Sequence, residues 1–381
     1  MTSELKNSPF YNLQLAVNPD IEWSPWAGCK TPVAIHELDD ELRAVRNGTI
    51  VFDMSPVVKY QVTGTDAQVF LDKISTRSMA IKPGRVTYTC WTNAQGMLVD
   101  DGTVFRFSET EFRMLPNSRD DDYYAQQAEG LDVEVTDVSH NSAALTVQGK
   151  TAATVLTRMG IKNLVDMKPF DFATFDSPAG ELMISRTGFF GDLGYELWFS
   201  LDQVEAVWDA VLAAGALPVG IVTLCNARLE AGHIIPDNEF ELEPAKYDGS
   251  EPDSFNRTPF DLGLGFVINL DKGDFVGRDA LIAEKERGST WQLVALELDC
   301  DHGAAQRDVV AVNGVEVGFV TSGLFSVNLG KSIALATVKS GSTSPGGSAS
   351  VVVNGVKVDA VVVDTPFYKS PRKAQTPAPM L

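Results

Sequence analysis

The chain has 381 residues, 44% hydrophobic and 22% charged, a balance that belongs to folded globular proteins and excludes a disordered chain. That length exceeds one ordinary core and predicts two or three domains. The net charge of -20 argues against nucleic acid and anionic membrane surfaces as partners, because both would repel the chain.

The N-terminal residues MTSELKNSPFYN are polar and lack the basic head and apolar stretch of a signal peptide, so a cytoplasmic protein with free thiols is expected. The segment from Ile21 to Pro32 reads as a loop whose tryptophans, Trp23 and Trp26, plug a core or wall a pocket. HELDDELRAVRNG has helical period, with Leu38, Leu42 and Val45 on one stripe and Asn47-Gly48 as its stop. IVFDM and KYQVTG are short strands, and Asp66 to Ile74 is a second helix with Val69, Phe70 and Ile74 inward.

Gly84 to Arg106 reads as a hairpin turning through Asn93, Ala94, Gln95 and Gly96, with adjacent acids Asp100 and Asp101 on the return strand. Successive strand side chains point to opposite faces, so one acid is expected to face a packed surface while the other faces water. A buried carboxylate needs partners; alternatively, both acids cap a turn or bulge at Gly102.

FRMLPN is a strand, Asp120 to Glu129 a helix, VEVTDV and AALTVQG strands, and TAATVLTRMG a helix closed by Gly160. LMISRTGFFGDLGYELWFS holds two strands with a glycine-rich connection, and Glu196 sits inside the second strand beside Tyr195 and Leu197, where a wet-face position is the ordinary reading. Leu201 to Ala214 is a helix, and the apolar run from Ala210 to Cys225 is broken by Gly215, Pro218 and Gly220 and too short to cross a bilayer. PVGIVTLCNARLEAGHI continues into a helix or turn bearing Arg228, Glu230 and His233. Glu239 to Arg257 reads as a polar inserted loop, followed by a strand, a turn and an amphipathic helix in DLGLGFVINLDKGDFVGRDALIAEKERG. From Trp291 the composition becomes β-branched and glycine-rich, with Asn-Gly hairpin turns in AVNGVEV and VVNGVKV and a loose tail after Phe367. Neither the four cysteines, Cys29, Cys90, Cys225 and Cys300, nor the four histidines show metal-ligand spacing.

The stretches VFDMSPVVKYQVTGTDAQVFLDKI, QGMLVDDGTVFR, ALTVQGKTA, RTGFFGDLGYEL, ARLEAG, DFVGRDAL and TSGLFSVNLGKSIALA run over nearly the whole chain. Together, and in this order, they resemble the folate-dependent aminomethyltransferases, typified by the T protein of the glycine cleavage system. The resemblance implies an α+β fold, a three-domain cloverleaf with a C-terminal all-β domain and a central opening for tetrahydrofolate. The implied domains are 1–55 with 140–238, 56–139 with 239–290, and 291–381. Carried over by position, Asp101 is the acid beside the reacting end of the folate, and Glu196 pairs with the amino-pyrimidine edge of its pterin. Tyr88, Asn117 and Tyr195 fall on further folate-binding positions.

Departures from the T-protein pattern cluster on the donor side. Thr223, Leu224 and Cys225 replace an arginine-bearing GARD segment, Pro56 replaces the histidine of FDVSH, and WAGC replaces FAGW. Phe105 and Phe189 occupy positions of folate-contacting tyrosines, and His233 follows RLEA. These changes are similar to the demethylase branch, which implies methyl transfer from a small methoxylated aromatic acid to tetrahydrofolate, giving 5-methyltetrahydrofolate. In that reading Asp101 relays a proton, His233 protonates the ether oxygen, and Trp26, Trp91 and Phe189 line the donor site. A sulfonium donor, which needs no acid, and the aminomethyl donor of a true T protein are the alternatives. The acidic charge and the missing arginine weigh against a lipoyl carrier protein as partner. A non-catalytic folate-binding branch is disfavoured because His233 to Phe240 lacks a KGCYxGQE-like segment.

Overall fold

A computed structural model describes residues 5–242 and 255–371. The middle of the expected polar loop, 243–254, and the tail beyond 371 lie outside the described residues. Three open sheets, the smallest made of the short strands Lys6–Asn7, Cys29–Pro32 and Trp23–Trp26, and a closed barrel carry the architecture of the described residues. A six-stranded sheet has the order Phe172–Ser177, Gly180–Ser185, Gly194–Phe199, Ala143–Gln148, Ile50–Asp53, Leu217–Pro218. A five-stranded sheet has the order Arg85–Thr92, Leu98–Arg106, Glu111–Pro116, Tyr60–Thr63, Glu134–Asp137. The six-stranded barrel begins at Trp291 and closes with Val356–Val363 against Trp291–Leu298.

Alternation along the strands explains the layering. In the six-stranded sheet Leu145, Val147, Tyr195 and Leu197 face the helices Ala152–Arg158 and Val204–Ala213, forming one core with Leu156, Val207 and Val211. In the five-stranded sheet Val62, Trp91, Val104 and Phe112 pack with Phe70, Leu71 and Ile74 of the helix Ala67–Ile74 and with Tyr124 of the helix Asp121–Ala128. The opposite faces of both sheets meet in a shared apolar cluster: Phe52, Ala144 and Trp198 from one, Val86, Phe105 and Leu115 from the other. Phe105 meets Trp198 edge-on with ring centroids 5.8 Å apart. Residues of the same parity as Phe105 and Trp198 therefore point into the space between the sheets.

The expected hairpin from 84 to 106 forms with the expected turn, but both acids are buried, Asp100 at 3% exposure and Asp101 at 8%. Their strand is central, paired on both edges and covered on both faces, so neither acid has a wet side. Gly102 lies in mid-strand, not at a turn. The barrel hairpins turn at Asn313-Gly314 and Asn354-Gly355, all four residues with positive φ, as a two-residue turn matched to strand twist demands.

Other expectations change. Trp23–Trp26 and Cys29–Pro32 are paired strands, not a loop, turning at Ala27 and Gly28 with φ of 48° and 79°. Val69 is 54% exposed because the helical stripe runs through Ala67, Phe70, Leu71 and Ile74. No strand forms in 261–270; a short 3-10 turn at Gly265–Val267 buries Val267 and leaves Phe266 exposed. The helix Tyr11–Val17 and the strand Phe172–Ser177 had no clear signal, being short and weakly periodic.

A methyl group added at Gly102 would stand 2.1 Å from the Leu115 carbonyl oxygen and 3.1 Å from the Trp91 ring. Gly102→Ala is therefore predicted to destabilise the protein by about 3 kcal/mol, read as a lowered urea midpoint; an unchanged midpoint contradicts the strand packing described.

Candidate active site

Parity along Leu98–Arg106 sends Asp101 to the inter-sheet face with Phe105, and Asp100 to the helix-covered face with Val104. Asp100 is committed to structure. Its carboxylate accepts the Asn117 and Ser118 backbone N–H groups, the Ser118 hydroxyl at 3.1 Å, the Asn117 amide at 2.7 Å and the Asp101 N–H at 2.8 Å. Burial pushes its pKa up while these donors pull it down. Hydrogen bonds to a charged group are worth about 1.5–3 kcal/mol each, so five donors offset much of the desolvation.

Asp101 is less fully satisfied. Its Oδ2 accepts the Tyr88 hydroxyl at 2.6 Å and its Oδ1 the Asn117 amide at 2.9 Å. Burial, and then the adjacent Asp100 charge, push its pKa up to about 7. Burial and the Asp101 charge also raise the Tyr88 phenol, keeping it a donor. Three predicted residues, Tyr88, Asp101 and Asn117, thus form one hydrogen-bonded group. Asn117 is a brace, since its single amide nitrogen reaches both acids.

Glu196 shares a face with Trp198, toward the inter-sheet space. The wet-face reading fails in part: Glu196 is half-buried, and burial raises its pKa while Thr187 and Ser185 pull it down. Its Oε2 accepts the Thr187 hydroxyl at 2.5 Å and the Ser185 hydroxyl at 3.3 Å. Among the described residues Oε1 has no hydrogen-bond partner, leaving one acceptor oxygen available. Sequence reading missed Ser185 and Thr187; their role follows from register, which sets Ser185 opposite Glu196.

Two predicted residues leave the site. Tyr195 points away from Glu196 and is fully buried in the helix-side core of its sheet, because adjacent strand positions alternate. Trp91 is 1% exposed within the core beneath Ala67–Ile74, so it cannot line a donor pocket. Phe105, at a tyrosine position of the resembled pattern, is likewise core.

The other two aromatics border the inter-sheet cluster: Trp26 lies on Phe52 at 5.4 Å, and Phe189 stacks on His233 at 5.1 Å. His233 follows the helix Ile221–Glu230, and its Nδ1 lies 2.9 Å from the Phe189 carbonyl oxygen. A carbonyl only accepts, so Nδ1 carries the hydrogen and Nε2 can donate a proton only from the imidazolium. Leu224, one of the three residues that stand in place of the arginine-bearing segment, packs at the same cluster as Trp26 and Phe189. Pro56 is elsewhere, lining a cleft of about 570 Å³ with Lys6, Ser55, Ser139 and His140 that none of the predicted site residues borders. Among the described residues no cluster of His, Cys, Asp or Glu could hold a metal ion, and no helix is long and apolar enough to cross a membrane.

A raised carboxylate pKa favours the protonated form in the folded state. Below about pH 4 Asp101 is protonated folded or unfolded; as pH rises toward about 7 the unfolded chain ionises first and stability falls. Asp101→Asn is predicted to gain stability relative to wild type between pH 5 and pH 8, measured by thermal unfolding. A difference independent of pH contradicts the raised pKa.

The GCVT N-terminal domain model matches residues 21–272, and the glycine cleavage T-protein C-terminal barrel domain model matches residues 292–369. An aminomethyltransferase of Desulforamulus reducens is 32% identical over 96% of this chain and 99% of its own length. One from Symbiobacterium thermophilum is 33% identical over 98% of this chain and 100% of its own. The crystal structure of glycine cleavage system aminomethyltransferase T from Bartonella henselae has the same fold, with a TM-score of 0.85 at 22% identity, covering 98% of this chain and 100% of that one.

Proposed function

Because the chain belongs to the glycine cleavage T-protein (aminomethyltransferase) family, one-carbon transferases that use tetrahydrofolate, we propose that it transfers a one-carbon unit to tetrahydrofolate with Asp101 handling the proton. The observation that carries this reading is the Tyr88–Asp101–Asn117 group, a carboxyl held near half-ionisation at neutral pH. A general acid or base works best when its pKa lies near the operating pH.

The chain's own groups fit the carrier. Glu196 offers Oε1 to the N–H edge of the pterin while Thr187 and Ser185 fix Oε2. Tetrahydrofolate, when bound, supplies the nitrogen that receives the carbon. Asp101 takes or returns the proton at that nitrogen, and the Tyr88 hydroxyl stabilises its ionised form.

The names of full-length relatives support an aminomethyl donor, which moves that reading ahead of the methoxylated aromatic acid. Leu224 supports a second reading, demethylation of a small donor. Within the segment that replaces the arginine-bearing one, an apolar side chain packs on the cluster that Trp26 and Phe189 also border, and such a wall accommodates an aryl ether or a sulfonium. For an ether, the Nδ1 contact limits His233 to acting as an acid only once it is protonated.

The test is to incubate purified protein and tetrahydrofolate separately with an aminomethylated lipoyl carrier, a methoxybenzoate panel and a sulfonium propionate. Methylenetetrahydrofolate from the carrier is the expected product; 5-methyltetrahydrofolate from either other donor transfers the assignment to demethylation, and no folate product from any donor defeats the proposal. Asp101→Ala is expected to lower kcat about 100-fold or more with the productive donor. Glu196→Ala is expected to weaken tetrahydrofolate binding about tenfold in a fluorescence titration, and unchanged binding removes Glu196 from the site.

A further inference from the structure

We infer, resting on the tetrahydrofolate reading of the site, that Tyr368 and Ser370 are positioning residues that set the loop behind Glu196 from the far end of the chain. The loop is Arg186 to Leu193, between the strands Gly180–Ser185 and Gly194–Phe199. It carries Thr187, whose hydroxyl holds Glu196 Oε2, and Phe189, whose ring and carbonyl oxygen meet His233. Its two glycines sit at close approaches that leave no room for a side chain. A Cβ at Gly188 would fall 2.2 Å from the Gln148 side chain, and one at Gly191, where φ is +75°, would fall 2.4 Å from Ala231.

Beside the buried side chains of Phe190 and Leu193, polar clamps hold the loop. Asp192, 7% exposed, accepts the Tyr368 hydroxyl at 3.0 Å on Oδ2 and the Ser370 hydroxyl at 2.5 Å on Oδ1. Tyr368 is itself anchored: its N–H donates to the Glu230 carbonyl at 2.8 Å, and the Arg46 guanidinium lies 4.0 Å over its ring. Arg46 in turn donates to the Phe190 carbonyl oxygen at 2.6 Å and pairs with buried Glu230, also at 2.6 Å. Ser326 and Asn328, from the barrel, complete the ring on Glu230. Both clamps on the loop, Arg46 and Asp192's partners, thus converge on Tyr368. The segment after the barrel reaches back across the chain to Asp192, at the far end of the loop that carries Thr187.

Tyr368 and Ser370 touch neither acid, so their effect passes through the loop. Removing the hydroxyls takes two of Asp192's hydrogen bonds away, leaving the Leu193 N–H on its Oδ1, and the loosened loop lets Thr187 hold Glu196 less well. Tetrahydrofolate affinity should fall while the Asp101 proton step keeps its pH midpoint.

The experiment uses the full chain: wild type, Tyr368→Phe, Ser370→Ala and the double variant, titrated with tetrahydrofolate and followed by tryptophan fluorescence, with thermal midpoints measured in parallel. Asn354→Ala, in a distant barrel turn, is the control for destabilisation elsewhere. We expect about tenfold weaker binding in the double variant with an unchanged pH midpoint of turnover. We expect unchanged binding in Asn354→Ala despite a lowered thermal midpoint. Wild type that binds while the double variant binds equally well overturns this inference and leaves the folate reading standing. Wild type that does not bind tetrahydrofolate overturns both. A double variant no weaker in binding than Asn354→Ala at equal loss of stability assigns the clamp to stability alone and overturns the positioning role.

Discussion

The site depends on the burial of two adjacent carboxylates on one central strand. A chain with alternating faces cannot give both Asp100 and Asp101 to the same side, so the two acids are divided between the two layers that cover the sheet. Asp100 spends its charge on the Asn117–Ser118 corner, which fixes the end of the strand Glu111–Pro116. Asp101 is left on the inter-sheet side with fewer donors and with a negative neighbour. A structural requirement on one face thereby sets the chemistry on the other.

The inter-sheet cluster gives that chemistry its place. Phe105 and Trp198 bring the faces of the two sheets into contact, and the acid on each strand of the same parity, Asp101 or Glu196, is carried with them. The carboxylates differ in what holds them: a phenol and an amide for Asp101, two hydroxyls for Glu196. The hydroxyl pair engages a single Glu196 oxygen, which suits a residue that orients a ligand. The phenol and amide engage both Asp101 oxygens, which suits a residue that exchanges a proton without moving.

Much of this was legible in the sequence, for local reasons. The Asn-Gly barrel turns, the helix ending at Asn47-Gly48 and the hairpin around Asn93–Gly96 are set by short-range chemistry, and they form where read. Asp101 and Glu196 were reachable from motif position. Register was not legible, and it decides the rest. Trp91 and Trp26 look alike in sequence, yet pairing opposite Asp100 sends Trp91 into the core beneath a helix, while Trp26 borders the inter-sheet cluster. Tyr195 and Glu196 are neighbours that face opposite layers. The clamp from Tyr368 to Asp192 joins residues 176 positions apart, and no periodicity signals such a contact.

The central claim is that a buried Asp101 carboxyl sits near half-ionisation at neutral pH and is the proton-handling group of the site. Carbon-13 NMR of the protein labelled at aspartate carboxyl carbons, with Asp101→Asn to assign the resonance, measures this directly. The account predicts a titration midpoint near pH 7 for Asp101, displaced when tetrahydrofolate is added. A midpoint near the ordinary aspartate value, about 4, or one indifferent to tetrahydrofolate, would contradict it.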